Sequence, residues 1–263
     1  MALTKALCNK IDKIITKVDA KAINPAFSKE IMDRKRRRVP DRITEKKLLE
    51  TFVRLIAFSG LTPSNKVKEL LETHLFDKIF HGYDVKRVAR LNPCDIVDQY
   101  WEDICCIRYQ SKIFQVVMFA RRIDRIGSLA RLMIQADMPV RIRSMKDIEK
   151  FWEAFERLQA DLKELKVSYL KETTTLLHFL LETGYDCVKP DLIVMRVAEK
   201  LHMIGSGKMD EKLKQTVRSI QEYAVLRQIR PSLVDLYFLI DEGQKDARML
   251  VNSTYYGKKR IEG

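Results

Sequence analysis

Residues 146–184 read KDIEKFWEAFERLQADLKELKVSYLKETTTLLHFLLETG, and this stretch predicts two helices joined by a short turn. In the first helix, apolar side chains recur at spacings of four, three, four and three, which places on one face Phe151, Phe155, Leu158, Leu162 and Leu165. We expect the turn at 166–169 and the second helix over 170–183. Gly184 should end that helix, because glycine readily adopts the left-handed conformation found after many helices.

The rest of the chain has the same helical character, since few segments alternate with period two and strand-like runs of Val, Ile and Thr are missing. Helices are predicted over 44–57 with Thr44 as N-cap, over 65–80, from Asn92 with Pro93 in the first helical position, and over 112–125 before Gly127. Two more are expected, one around 213–220 and one over 231–243. The predicted fold class is all-α.

The composition favours a folded protein with an anionic partner. The chain has 263 residues, of which 46% are apolar, and a net charge of +13. Nucleic acid fits this charge better than an acidic membrane surface, because no apolar run approaches the roughly 18 residues that a span requires. Much of the excess charge lies in residues 1–47, around Arg34, Lys35, Arg36, Arg37 and Arg38. This cluster is interpreted as a phosphate-binding arm or, alternatively, as a solvated leader.

The five cysteines are odd in number and form no C-x-x-C pair, so neither a disulfide framework nor a zinc site is expected. No metal or other cofactor is predicted. The first twenty residues are amphipathic and charged, unlike a signal peptide. These features indicate a cytoplasmic protein, associated with the nucleoid if it binds DNA.

Asp191 lies in the string KPDLIVMRV at 189–197, where Pro190 is expected to open a helix with Asp191 in its first turn. An aspartate there stabilises the helix dipole, and this alone accounts for many such residues. The string also resembles the helix-hairpin-helix DNA glycosylases, whose motif reads roughly Pro-Val-Asp-Thr-His-Val-x-Arg-Val. Asp191, Val194, Arg196 and Val197 match the motif, and Pro190 stands next to the position of its proline. The resemblance implies that Asp191 is the catalytic carboxylate, which stabilises a cationic sugar as the base leaves.

The turn resembles the hairpin of the same superfamily, which reads roughly Leu-Pro-Gly-Val-Gly-Pro-Lys-Thr-Ala and aligns with residues 165–173. Its two glycines, which let backbone amides approach a phosphate, are absent here. The resemblance implies DNA contacts by Lys166, Val167, Ser168, Tyr169, Lys171 and Thr173. Lys171 occupies the position of the Schiff-base lysine in bifunctional members; the alternative is a simple phosphate contact.

Further stretches over residues 40–243 resemble 3-methyladenine DNA glycosylase I: KLLE through SGL at 47–61, IRYQSKI at 107–113 and GYDCV at 184–188. The pocket glutamate and tryptophan of that family align with Leu55 and Pro63, and its zinc ligands have no counterpart here. The resemblance therefore does not imply specificity for 3-methyladenine. We expect a base pocket with a different lining, formed by Phe58, Trp101, Tyr109 and Gln110. Aromatic rings stack on flipped bases, and an amide forms hydrogen bonds with base edges. The alternative for the aromatic residues is core packing.

The resemblance therefore implies a two-lobed helix-hairpin-helix glycosylase fold, with double-stranded DNA across the cleft between the lobes. The expected parts are a basic N-terminal arm or helix over 1–43, a helical lobe over 44–145 that forms one pocket wall, and a hairpin lobe over 146–263. Lys112 and the 34–38 cluster should add phosphate contacts. The expected activity is excision of a damaged or modified base, such as those of phage DNA, by a monomer. The alternatives are a non-catalytic helix-hairpin-helix DNA-binding protein and a helical protein-interaction module.

Overall fold

The computed structural model describes residues 3–21, 28, 31, 32, 43–60, 62–167 and 169–246. The helices of these residues are α1 (Lys5–Lys21), α2 (Glu45–Phe58), α3 (Ser64–Glu72), α4 (Leu75–Ile79), α5 (Val85–Arg90), α6 (Pro93–Ile104), α7 (Ser111–Ile126), α8 (Leu129–Gln135), α9 (Met145–Glu164), α10 (Thr173–Glu182), α11 (Leu192–Lys200), α12 (Met209–Leu226) and α13 (Pro231–Asp246). Short 3-10 turns cover His81–Tyr83 and Cys105–Ile107. No strand occurs in this part of the chain, which confirms the all-α fold class.

The helices form two compact units. One unit contains α2–α8 together with residues 157–171, and the other contains α1 and α10–α13 together with residues 138–156. The division falls inside α9, so this helix contributes residues to both units. The expected boundaries after residues 43 and 145 lie near the ends of the α2–α8 segment. The grouping differs, because α1 shares a unit with the C-terminal helices and residues 157–171 share one with α2–α8.

In the α2–α8 unit, α7 packs against α2, α5 and α6. The buried positions of α7 recur every three or four residues, as expected for one apolar helix face, and include Ile113, Val116, Ala120 and Ile123. Phe119 stacks on Phe52 of α2, with the ring centroids 3.7 Å apart. This stacking joins the two longest helices that lie wholly within the unit.

In the second unit, α1 packs on α13 through a small cluster of apolar side chains that includes Val18, Leu233 and Tyr237. Two aspartates of α1 add polar contacts at its edge. Asp12 accepts hydrogen bonds from the Tyr223 hydroxyl at 2.6 Å and the Arg227 Nε at 3.0 Å, and Asp19 accepts one from the Tyr237 hydroxyl at 2.6 Å. The N-terminal helix is therefore part of this unit's core.

Local helix signals in the sequence are confirmed at several ends. The Thr44 hydroxyl accepts a hydrogen bond from the Lys47 amide at 3.3 Å, and the Asn92 side chain accepts one from the Cys94 amide at 3.2 Å. Gly127 and Gly184 follow α7 and α10 with φ of 81° and 102°, values that glycine adopts without strain. Each of these ends depends on the backbone within a few residues.

Two predicted helices have different bounds. The helix expected over 65–80 is interrupted between α3 and α4, where His74 has a left-handed φ of 56°. The second helix of the hairpin begins at Thr173 rather than at residue 170, so the turn after α9 is longer than expected. The apolar face of α9 is buried as predicted at Phe151, Phe155, Leu158 and Leu162, while Leu165 is half-buried.

No helix in the described part of the chain combines the length and the apolar character that crossing a bilayer requires.

Candidate nucleic-acid interface

Asp191 is the N-cap residue of α11 and lies just outside its first turn. Its Oδ1 accepts hydrogen bonds from the backbone amides of Ile193 at 3.0 Å and Val194 at 3.1 Å. These amides would otherwise lack partners, as the first N–H groups of every helix do. The predicted place in the first turn is thus shifted by one position, and the side chain has a capping role of its own.

The second oxygen of Asp191 lies beside a lysine. Oδ2 lies 3.7 Å from the Nζ of Lys189, and the side chain is 25% exposed. The two amide bonds hold Oδ1 at the start of α11 and so fix the orientation of this partly exposed carboxylate. A fixed, partly exposed carboxylate can stabilise a nearby positive charge without rearrangement.

The turn after α9 has a buried side and an exposed side. Val167 is 1% exposed, and its amide donates to the Leu162 carbonyl at 2.9 Å. Lys166 and Lys171 are exposed, and the Lys171 carbonyl accepts a hydrogen bond from the Gln159 side chain at 2.9 Å. Tyr169 is half-buried, and its ring meets that of Phe52 edge-on.

Two of the predicted DNA contacts are therefore corrected. The Val167 side chain is buried in the turn, and Thr173 is 3% exposed with its hydroxyl donating to Asp210. Neither side chain is available to a phosphate. Lys166 and Lys171, together with exposed Lys163 at the end of α9, form a lysine group that we call the turn lysines. Ser168 and residues 34–38 lie outside the described residues.

Lys112 is not on the surface, which corrects its predicted role as a phosphate contact. It is 3% exposed, and its Nζ donates to the carbonyls of Ala57 at 3.2 Å and Ser59 at 2.7 Å and to the Thr62 hydroxyl at 2.9 Å. Burial and the nearby Arg108 lower the pKa of Lys112 to about 8. Lys112 therefore holds the end of α2 and the following loop against α7.

Replacing Lys112 by Met should lower the free energy of unfolding by about 1–3 kcal/mol, because two buried acceptors, the Ala57 carbonyl and the Thr62 hydroxyl, lose the donor that Lys112 supplies. Equilibrium denaturation in urea measures this loss. Lys68→Met, which changes an exposed lysine of α3 in the same unit, is the matched control and should change stability by less than about 0.5 kcal/mol.

The free energy of unfolding of the wild type, taken relative to that of Lys112→Met, should also increase as the pH rises above about 8. The folded-state pKa of Lys112 is about 8, whereas the pKa of lysine in an unfolded chain is about 10.4. Between these values the unfolded chain holds more protons, so the folded state gains stability as pH increases. Denaturation of both proteins at neutral and at alkaline pH tests this, and a difference independent of pH would contradict it.

The residues predicted to line a base pocket lie in the α2–α8 unit. Phe58 and Trp101 are half-buried, while Tyr109 is 50% exposed and Gln110 is exposed. The Tyr109 ring packs so closely over Gly60 that a Cβ there would lie 3.3 Å from it. None of the four residues lines the aromatic cavity beside the turn after α9, and the sequence did not predict this cavity.

The aromatic cavity adjoins the turn after α9 and has a volume of about 260 Å³; its lining consists of Phe52, Phe114, Gln115, Met118, Phe119, Arg122, Val167 and Tyr169. The Tyr169 ring lies 5.3 Å from the Phe52 ring, at an interplanar angle of 90°. One signal in the sequence could have indicated it: α7 carries Phe114 and Met118 on its exposed face, where polar residues are usual.

Asp186 is a second residue whose role was not predicted from the sequence. Its side chain is 3% exposed and accepts hydrogen bonds from Arg141 at 3.2 Å, from Arg230 at 2.8 Å and from the Ile142 amide at 3.3 Å. These bonds connect three segments of the second unit. Arg141, Arg143 and Arg230 also line an open cavity of about 550 Å³.

All five cysteines are free thiols. Among the described residues, no group of three His, Cys, Asp or Glu side chains is arranged to hold a metal ion.

Comparisons with protein-family models, curated proteins and solved structures found no match to this chain. The resemblance to helix-hairpin-helix glycosylases therefore stays a prediction from the motifs themselves.

Proposed function

We propose that this protein is a DNA N-glycosylase that excises a damaged or modified base, such as a hypermodified base of phage DNA. The observation that carries the proposal is the Asp191 carboxylate. Two backbone amides hold its Oδ1, its Oδ2 lies 3.7 Å from the Lys189 ammonium, and its side chain is 25% exposed, within the motif that resembles the catalytic segment of the superfamily.

The proposed reaction breaks the bond between the base nitrogen and C1′ of the deoxyribose. The electron pair leaves with the base, so positive charge develops on C1′ and the ring oxygen. Asp191 stabilises this charge electrostatically and accepts a proton from the water that attacks C1′. The departing base takes up a proton at the nitrogen released from C1′, which balances the proton that the water gives to Asp191. The products are the free base and an abasic site, and the reaction requires no cofactor.

DNA binding in this proposal rests on the turn lysines, Lys163, Lys166 and Lys171, and on the basic residues 34–38. Cations that neutralise phosphates release counterions, so affinity should fall steeply with salt. We assign Lys171 a phosphate contact, with Schiff-base chemistry as its alternative. The partner is double-stranded DNA, the expected state of the free protein is a monomer, and the expected location is the cytoplasm at the nucleoid.

Replacing Lys163, Lys166 and Lys171 together by Gln should weaken duplex binding at every sequence and lower the salt slope by up to about 3, roughly one for each phosphate contact. Binding isotherms at several salt concentrations measure the slope. A matched triple variant at exposed lysines far from the turn in sequence, Lys66, Lys68 and Lys86, is the control. Equal slopes for the two variants would argue against the turn as a DNA contact.

The experiment that tests the activity measures abasic sites on unmodified, methylated and hypermodified phage DNA, with the wild type beside Asp191→Asn. Alkali-sensitive breaks made only by the wild type, on one class of DNA, would support a glycosylase and identify its substrate class. Breaks without alkali would add a lyase step and reassign Lys171 as the nucleophile.

A second candidate is a DNA-binding protein without catalysis. It is favoured by the capping role of Asp191, which accounts for the aspartate without any reaction, and by the missing hairpin glycines. It predicts duplex binding that survives Asp191→Asn, with no abasic product from either protein on any DNA of the panel.

A further inference from the structure

Helix α7 exposes an apolar face beside the turn that follows α9. Phe114 and Met118 are 39% and 45% exposed, and they lie one helical turn apart with Arg122 one turn further along. Residues four apart occupy the same face of a helix, so the three side chains form one strip. Phe114 and Met118 therefore give this strip a small exposed apolar patch.

The strip forms one side of the aromatic cavity, and the size of the cavity limits its occupant. Its volume of about 260 Å³ is below the roughly 300–1,000 Å³ of sites for drug-sized ligands. A single ring system fits, while a longer ligand would extend outside. The stacked pair Phe52 and Phe119 lies at the base of this space, with Tyr169 edge-on beside it.

The polar groups around the cavity favour a nucleobase over an apolar protein segment. Gln115 contributes an amide that can both donate and accept hydrogen bonds at a base edge. Arg122 lines the cavity, and Lys166 belongs to the turn that supplies Val167 and Tyr169 to it. Positive charge beside an aromatic surface is the arrangement that single-stranded nucleic acids use, with the phosphates on the cations and a base on the rings.

We infer that the aromatic cavity binds one unpaired base of DNA, which stacks on Phe114 and is read at its edge by Gln115. This inference rests on the DNA binding of the proposed function but not on its catalysis. The base-binding residues of this inference differ from those predicted from the sequence. They lie on the face of α7 at Phe114 and Gln115 rather than around Tyr109 and Gln110, in the same unit.

The test uses DNA with 2-aminopurine, a fluorescent base, either unpaired opposite an abasic site or paired in a normal duplex. Wild-type protein should change the fluorescence of the unpaired probe and bind that DNA more tightly than the paired duplex. Phe114→Ala should weaken binding of the unpaired probe by about tenfold or more, as expected for the loss of one stacked base. Gln115→Ala should weaken it less and alter the preference among bases.

Ile134→Ala is the matched control, because Ile134 is an exposed apolar residue of α8 that does not line the cavity. It should bind both probes as the wild type does. Thermal unfolding of each variant checks that the fold is retained, which the exposure of Phe114 and Gln115 leads us to expect.

Different outcomes separate the inference from the proposed function. If the wild type binds DNA and makes abasic sites while Phe114→Ala binds the unpaired probe normally, the inference is overturned and the glycosylase stands. If the probe responds through Phe114 but no DNA yields abasic sites, the base site stands and the catalytic proposal fails. If the wild type has no DNA affinity, or if sedimentation shows a dimer that Phe114→Ala dissociates, the cavity serves another partner and the inference is wrong.

Discussion

Asp191→Asn should lower the rate of base release by about 100- to 1,000-fold, the loss usual when one electrostatic group is removed from a transition state. Asparagine is as good an N-cap as aspartate, so the amides of Ile193 and Val194 keep an acceptor. The substitution therefore removes the negative charge and leaves α11 intact. Alkali-sensitive breaks on the cleaved DNA class, followed over time, measure the effect.

Asp84→Asn is the matched control, because Asp84 is the N-cap of α5 and accepts a hydrogen bond from the Arg87 amide at 3.0 Å. Both variants replace an aspartate cap by an asparagine cap, so their thermal stabilities should change alike. Only Asp191→Asn should lose activity. Equal activity of the two variants would show that Asp191 has a capping role alone.

Asp186→Asn should destabilise the fold by up to about 3 kcal/mol, the lower end of the cost of removing one partner of a buried ion pair, because Arg141 is 31% exposed and water can hydrate it. The side chain is 3% exposed and receives bonds from Arg141 and Arg230, which would be left beside a neutral amide. The Ile142 amide, which donates to Oδ2, would face an Asn side chain that offers one acceptor oxygen instead of two. Equilibrium denaturation in guanidinium chloride measures the loss.

Asp161→Asn supplies the comparison, since Asp161 is an exposed aspartate of α9 and should contribute less than about 0.5 kcal/mol. If Asp186→Asn and Asp161→Asn unfold at the same denaturant concentration, the stability of the fold does not depend on the ion pairs of the two arginines with the buried carboxylate. A variant that loses stability but retains abasic-site formation below its unfolding midpoint would separate this structural role from catalysis.

The local signals of the sequence were sufficient for several helix ends. Thr44, Asn92, Gly127 and Gly184 each act through backbone groups within four residues, so their effect is readable from the chain alone. The break at His74 has no such signal, because neither glycine nor proline stands there, although histidine adopts a left-handed φ such as its 56° more often than most residues do. It lies between two short helices that pack against each other, so tertiary contacts accompany the turn.

The candidate site was less accessible to prediction than the fold. A lysine in the first turn of a helix, such as Lys112, suggests a solvated cation, and only the approach of Ala57 and Ser59 from 50 or more residues away shows that it is buried. Thr173 was likewise expected at a phosphate and instead contacts Asp210. The aromatic cavity combines residues of α2, α7 and the turn after α9, which no local pattern joins.

The sequence by itself determined the all-α class, the apolar face of α9, the helix caps and the position of Asp191 at a helix start. These features depend on periodicity and on hydrogen bonds between near neighbours, which the order of residues specifies directly. The tertiary structure alone decided which charged side chains are buried, as at Lys112 and Asp186, and which aromatic residues share a cavity. Burial is a property of how distant segments pack, and a residue's exposure follows from its neighbours in space rather than in sequence.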